Sequence, residues 1–318
     1  MRVRLPRRRV ARPQAHRDRL GPTATFDPGN RSPGCDQSRS HRTTTDDQHA
    51  QAPPRPSGFP DTMSDPARLL VVVAHPDDET FGCGSVIALA RQQGADVTVC
   101  CATRGEAGEA PPSLSGDVTI GEVREAELRA AGNLLGVNHH VLLDFADSGM
   151  NGAPEPGTLA AATDDQVIEA VRRVIIDVDP DVVVTLDPDH GDGHRDHAVI
   201  GRATTTACAA LPSIRLYYWA LLRRLLARWF NELTRLRPDS AHLDLDRAGL
   251  GRPDEDITTV LDTHSVRPLR EQAIAAHASQ ISPYTSMPED LLYEFLTCDR
   301  LVRVQPAWNP GPLEDTLI

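Results

Sequence analysis

Residues 69–74 (LLVVVA) are an unbroken apolar run that ends abruptly in His75, Pro76, Asp77, Asp78 and Glu79. A continuous run of this length fits a strand covered on both faces, as in a parallel sheet. Pro76 cannot donate to a ladder and restricts the residue before it, so the strand stops at the histidine. The same pattern recurs downstream. Residues 182–186 (VVVTL) run straight into Asp187, Asp189, His190, Asp192, His194, Asp196 and His197.

Around these two runs strands and helices alternate. A glycine-rich turn (Gly82, Gly84) leads to a helix over about 85–93, closed by Gly94. Residues 96–101 read as a second strand. Val123, Ala126, Leu128, Ala131, Leu134 and Leu135 have helical spacing and place a helix over about 121–135, stopped by Gly136. A short strand at 141–143 follows, then a helix capped by Asp164 or Asp165 and running through Ile175, and after the second apolar strand a helix over 197–209. Such alternation predicts an α/β fold: a mostly parallel sheet with helices on both faces. The C-terminal part reads as smaller and irregular. It has strands at 214–219 and 257–261, and a helix opened by Pro268 and running through 281. A basic amphipathic helix at 219–236 suits a membrane surface or partner, but packing on the domain with its arginines in solvent is the expectation. The last dozen residues look frayed.

The chain has 318 residues, which allows one large or two small domains. Residues 1–62 lack apolar periodicity and are rich in Pro, Ser, Thr and Arg, as expected of a disordered tail, with translation starting at Met63. Twelve arginines against six aspartates give that tail +6, so the formal net charge of −12 leaves −18 on the remainder. An acidic body argues against nucleic acid as partner and suits a small neutral ligand. No apolar run reaches membrane-spanning length. Six cysteines are too sparse for a disulfide scaffold, so a cytoplasmic setting is expected.

Ligands of open parallel sheets sit beyond the carboxyl ends of the strands, where both polar clusters fall. Three consecutive acids beside an imidazole are costly to pack unless a cation compensates them. His75, one aspartate of the 77/78 pair and one histidine of the second cluster make a three-ligand set with positions left open, as in catalytic zinc sites. Mixed histidine and carboxylate ligation favours Zn2+ or Fe2+ over calcium. The remaining aspartate can act as base toward water. The remaining histidine, if protonated, can stabilise an oxyanion and protonate a leaving amine. That inventory fits amide hydrolysis. Two other classes stay open on the residues alone: a magnesium-dependent phosphoryl-transfer domain using only Asp77 and Asp78, and a non-catalytic sugar-binding module. His139, His140, Cys83 and Cys208 read as structural and His264 as surface. His277 lies on the last helix, in packing or lining the cleft. Residues 111–117 form an expected flexible loop at the substrate rim.

AHPDDE after a hydrophobic strand, GHRDH, and the weaker blocks TRGEAGE, DSGM and AHASQ resemble the PIG-L/LmbE family of zinc-dependent N-acetylglucosaminyl deacetylases, over about residues 68–305. TRGEAGE and DSGM resemble its mycothiol-pathway branch. The resemblance implies a Rossmann-like deacetylase domain over 63–305 with a C-terminal tail at 306–318. It implies zinc on His75, Asp78 and His197, Asp77 as general base, His194 polarising the carbonyl, and Arg104 and Asp147 contacting sugar or inositol hydroxyls. The implied activity is removal of acetyl from an N-acetylglucosaminyl conjugate, the small-molecule partner. The alternative within the resemblance is a mycothiol S-conjugate amidase, which cleaves a larger acyl group. Where mycothiol-branch deacetylases carry tyrosine, two residues before the first histidine of the second motif, this chain has Asp192.

Overall fold

The first apolar run forms β1 (Arg68–Val73), whose residues from Leu69 on are fully shielded from solvent. The computed structural model describes residues 65–108, 117–150 and 152–318. The tail, Met63 and most of the 111–117 loop lie outside the described residues. After β1 come α1 (Asp78–Phe81), α2 (Gly84–Gln92), β2 (Asp96–Cys101), α3 (Ile120–Leu135), β3 (His139–Leu142), α4 (Asp164–Val178), β4 (Val182–Leu186) and α5 (Arg195–Ala209). β5 (Arg215–Trp219), α6 (Arg223–Leu236), β6 (Thr259–Asp262), α7 (Arg267–Ala276), α8 (Glu289–Leu296) and β7 (Cys298–Gln305) complete the order.

The strands make one seven-stranded sheet in the order β3-β2-β1-β4-β5-β7-β6. β1 to β5 are parallel, while β7 runs antiparallel between β5 and β6. The chain winds outward from β1 through β2 to β3, then returns to the other side of β1 with β4. β1 and β4 therefore flank the point where strand order reverses, and their register (Leu69 opposite Val182, Val72 opposite Thr185) ends them side by side. Such a switch point opens a crevice at the carboxyl ends. The fold is thus the expected Rossmann-like α/β sheet, but the C-terminal part is less irregular than expected. β6 and β7 extend the same sheet.

Local differences have local causes. Thr163, not Asp164 or Asp165, caps α4, because its hydroxyl and Gln166 form a reciprocal capping box. α5 starts at Arg195 with His194 as its N-cap. α6 starts at Arg223, four residues late, because Ala220 bonds to Arg300 O and Leu222 is still extended. Its Leu225, Leu226, Trp229, Phe230 and Leu233 are buried in a second apolar cluster with Leu291 and Phe295 of α8. Arg224 and Arg228 pair with Asp254, Glu294 and Asp290. The helix is packed on the domain, as expected. α7 ends at Ala276, so His277 follows the helix instead of lying on it. The C-terminal segment is not frayed: Glu314 exchanges backbone hydrogen bonds with Thr258 and Val260 on the β6 edge, and Leu317 is buried. Among the described residues no helix is long and apolar enough to cross a membrane.

Candidate active site

At the end of β1 the three consecutive acids diverge to three different partners. Asp77 has φ 123° and ψ −30°, a conformation that costs a non-glycine residue about 1–3 kcal/mol and persists where the surroundings over-determine it. Here Arg124 Nη2 donates to Asp77 Oδ2 at 2.9 Å and to Pro76 O at 2.7 Å, while Asp77 N–H donates to Glu79 Oε2 at 2.8 Å. Asp78 Oδ2 accepts from the backbone of His75 (2.8 Å) and Ala74 (3.2 Å), leaving Oδ1 3.2 Å from His197 Nε2. Glu79 is fully buried against His277, with Oε1 2.8 Å from Nε2.

The β4 end supplies the second half. Asp187 lines the same cavity but stays out of the histidine cluster: Arg252 binds both its oxygens, and Oδ1 also accepts from the backbone of Asp189 and His190. His190 turns to Gly249 O. His194 and His197, at the start of α5, do join. Ring centroids lie 4.6 Å apart for His75 and His194, 5.3 Å for His75 and His197, and 4.9 Å for His194 and His197. His75 Nε2 also stands 3.2 Å from Asp196 Oδ2 and 3.4 Å from Asp147 Oδ1, and its Nδ1 is 3.5 Å from Asp78 Oδ2.

The electrostatics follow from this crowding. Burial opposes a charge on His75, but its bonds to Asp147, Asp196 and Asp78 outweigh it and hold the imidazole well above its ordinary range. Burial is likewise outweighed at His197, where Asp192 and Asp78 push the pKa up to about 10. His194 goes the other way, to about 3, through burial and then the charges of His75 and His197. Burial raises Asp77 to about 6 against the pull of Arg124. Asp78 stays well below the usual range, its burial outweighed by His197 and His75. The aspartates of the cluster are thus opposed chiefly by the imidazoles of His75 and His197.

The residues fit a metal ion. Two sets, His75 with His194 and His197, and His75 with Asp147 and Asp196, each offer donor atoms within 4.8 Å of one another, and Asp78 touches both His75 and His197. Asp196 Oδ1 is buried without a hydrogen-bond partner among the described residues. His194 Nδ1 accepts the Asp196 N–H at 3.2 Å, so in the neutral ring Nε2 carries the hydrogen.

A cavity of about 900 Å3 opens onto this cluster. His75, Asp77, Asp78, Asp147, His194 and His197 all line it, with Trp219, Trp229 and Phe295 on an apolar wall. Arg104 does not line it: Glu125 (2.8 Å) and Asp144 (2.6 Å) hold its guanidinium. Arg124 is the participant the sequence did not single out; Glu79, Asp192, Asp196 and His277 stood in its polar clusters and motifs without a settled role. A buried arginine on α3 looks, in sequence, like any solvated arginine.

A cation-ready histidine and aspartate cluster at the switch point of a parallel sheet, with a raised carboxylate beside it, equips a protein for metal-dependent amide hydrolysis. The family model for PIG-L, the GlcNAc-PI de-N-acetylases, matches residues 70–208. The chain is 35% identical over 283 residues to the 1D-myo-inositol 2-acetamido-2-deoxy-alpha-D-glucopyranoside deacetylase of Streptomyces griseus, covering 79% of this chain and 88% of that one. Two solved structures share the fold. One is N,N'-diacetylchitobiose deacetylase from Pyrococcus horikoshii (TM-score 0.52, 20% identity, 78% and 87% of the two chains). The other is 4-carboxy-2-hydroxymuconate hydratase from Pseudomonas putida (TM-score 0.51, 18% identity, 77% and 99%). The chain belongs to the PIG-L family and is an amide-cleaving deacetylase.

Proposed function

We propose that this chain hydrolyses the acetamide of an N-acetylglucosaminyl conjugate, with zinc held by His75, Asp78 and His197. The conjugate is of the inositol-linked kind for which the Streptomyces relative is named. The contacts of Asp78 with both His75 and His197, with Asp77 adjacent, carry the proposal. Nitrogen and carboxylate donors suit zinc, with iron(II) the other ion of matching preference. A cytoplasmic setting belongs to the same proposal, since Cys83, Cys100, Cys101, Cys208 and Cys298 are unpaired.

Zinc, when bound, supplies Lewis-acid polarisation and acidifies water. Asp77 takes the proton of the attacking water as its oxygen bonds to the amide carbon. Neutral His194 presents Nε2–H to the carbonyl oxygen as negative charge develops there. The C–N bond then breaks, and the proton on Asp77 passes to the amine nitrogen, giving the free amine and acetic acid, which ionises to acetate. A neutral His194 favours donating a hydrogen bond over transferring a proton, which moves the amine's proton from the expected His194 to Asp77. Asp147, on the cavity wall, is proposed to meet substrate hydroxyls. Arg104, engaged by Glu125 and Asp144, is left out of that contact set.

The test is metal analysis of the purified protein with a screen of N-acetylated amino sugars for acetate release. Zinc with acetate release supports the proposal. Magnesium without zinc would point to phosphoryl transfer, and sugar binding without release to a binding module. A second reading is an amidase for a larger acyl group on the same amino sugar, for which the cavity of about 900 Å3 also has room. Rates on the acetylated sugar and on a bulky N-acyl analogue separate the two.

A further inference from the structure

We infer that Asp192 is a positioning residue that fixes His197 in the tautomer and orientation needed to hold the metal. The inference rests on His197 being a ligand, as proposed above. Asp192 Oδ1 lies 2.9 Å from His197 Nδ1, while Nε2 of the same ring faces Asp78 Oδ1 at 3.2 Å. An ionised carboxylate only accepts hydrogen bonds, so Nδ1 carries the hydrogen and the neutral ring keeps its lone pair on Nε2, toward the cluster. The other two imidazoles are held differently. His194 uses Nδ1 as an acceptor, and both nitrogens of His75 face carboxylates of the cluster itself.

The local backbone is built to put the carboxylate there. Asp192 Oδ1 also accepts the His194 N–H at 3.0 Å, which ties the turn to the N-cap of α5. Between them Gly193 has φ +95°, a conformation that side chains rarely adopt, and an added Cβ would lie 3.2 Å from Leu245 Cδ1. The turn thus directs one carboxylate oxygen onto both the first capping N–H and the imidazole of the following helical turn.

The experiment measures zinc affinity of the full chain by competition with a chromophoric chelator, alongside kcat and KM on an N-acetylated amino sugar at saturating zinc. Wild type, Asp192→Ala, Asp192→Asn and His197→Ala are compared. His197→Ala should lose tight binding. Asp192→Ala should weaken zinc about 10–100-fold, the usual loss when such an outer partner is removed, and Asp192→Asn should recover part of it because its amide oxygen still accepts from Nδ1. Asp192→Ala binding zinc as tightly as wild type, while His197→Ala does not, overturns the inference and leaves the ligand assignment standing. His197→Ala binding as tightly as wild type overturns the ligand assignment itself. If circular dichroism shows Asp192→Ala unfolded, Asp192→Asn decides: wild-type affinity overturns the inference, a measurable loss supports it.

Discussion

Replacing Asp77 by asparagine removes the proposed base and leaves almost everything else in place. Arg124 keeps Pro76 O and Gly105 O as acceptors, and the asparagine amide oxygen still accepts from its Nη2. Asparagine matches aspartate in side-chain shape, so the positive φ at this position costs it about as much. The Arg124 bond passes from a carboxylate to an amide oxygen while the cost of burying the charge disappears, so the stability change should stay within about 3 kcal/mol, the scale of one hydrogen bond to a charged group. Turnover should suffer far more. A positioned general base contributes roughly 10²–10⁴-fold, or about 3–5 kcal/mol of barrier. Acetate release at saturating zinc, zinc content and Tm measured on the same preparation separate these quantities. Because the base must be ionised, wild-type kcat/KM should rise with pH through a midpoint near 6, or lower where a neighbouring cation stabilises the carboxylate. The asparagine variant should lose that rising limb. Retention of kcat within about threefold, with the limb intact, would refute the assignment. Loss of zinc together with activity would make Asp77 a ligand.

His75→Ala should abolish stoichiometric zinc, read by metal analysis after dialysis. His194→Ala should lower kcat by about 10²–10³-fold while changing zinc affinity little, since its nitrogen toward the cavity is a donor. In the metal-free protein the raised pKa of His197 makes its protonated form a stabilising contribution, complete below about pH 6.5 and lost as pH climbs toward 10. Melting of the metal-free protein should fall across that window, and added zinc should flatten the fall. Gly193→Ala, forced to φ +95°, should cost about 1–2 kcal/mol, read as a drop in Tm.

β1 and β4 are legible in the sequence because a strand buried on both faces needs only apolar residues, and both runs are bounded by polar clusters. β7 is not. CDRLVRVQ carries two arginines among its apolar residues, and it is a strand because β5 and β6 offer edges on either side, a cause that lies far away in the chain. The eight residues of α8 are too few for periodicity to separate helix from strand. The α4 cap was within reach: two aspartates distract from Thr163, but glutamine three positions on marks the capping box. The ordered C-terminus had no such signal, since Glu314 is held by backbone pairing with the β6 edge.

In the site, the same division between local and distant causes explains more than legibility. The motifs expose every histidine and aspartate of the cluster, because ends of buried strands are where polar side chains must gather. They conceal which carboxylates are already satisfied. Asp77 finds Arg124 47 residues away, Asp187 finds Arg252 65 residues away, and Glu79 finds His277 198 residues away. Each of those acids has its own basic partner and is removed from competition. Among the described residues Asp78, Asp147, Asp192 and Asp196 are opposed chiefly by the imidazoles of His75 and His197, whose pKa values are raised accordingly. A divalent cation held there would supply two charges where buried carboxylates gather. The distant basic residues thus bias the cluster: by opposing Asp77, Asp187 and Glu79, they leave Asp78, Asp147, Asp192 and Asp196 as the carboxylates that an added cation would compensate.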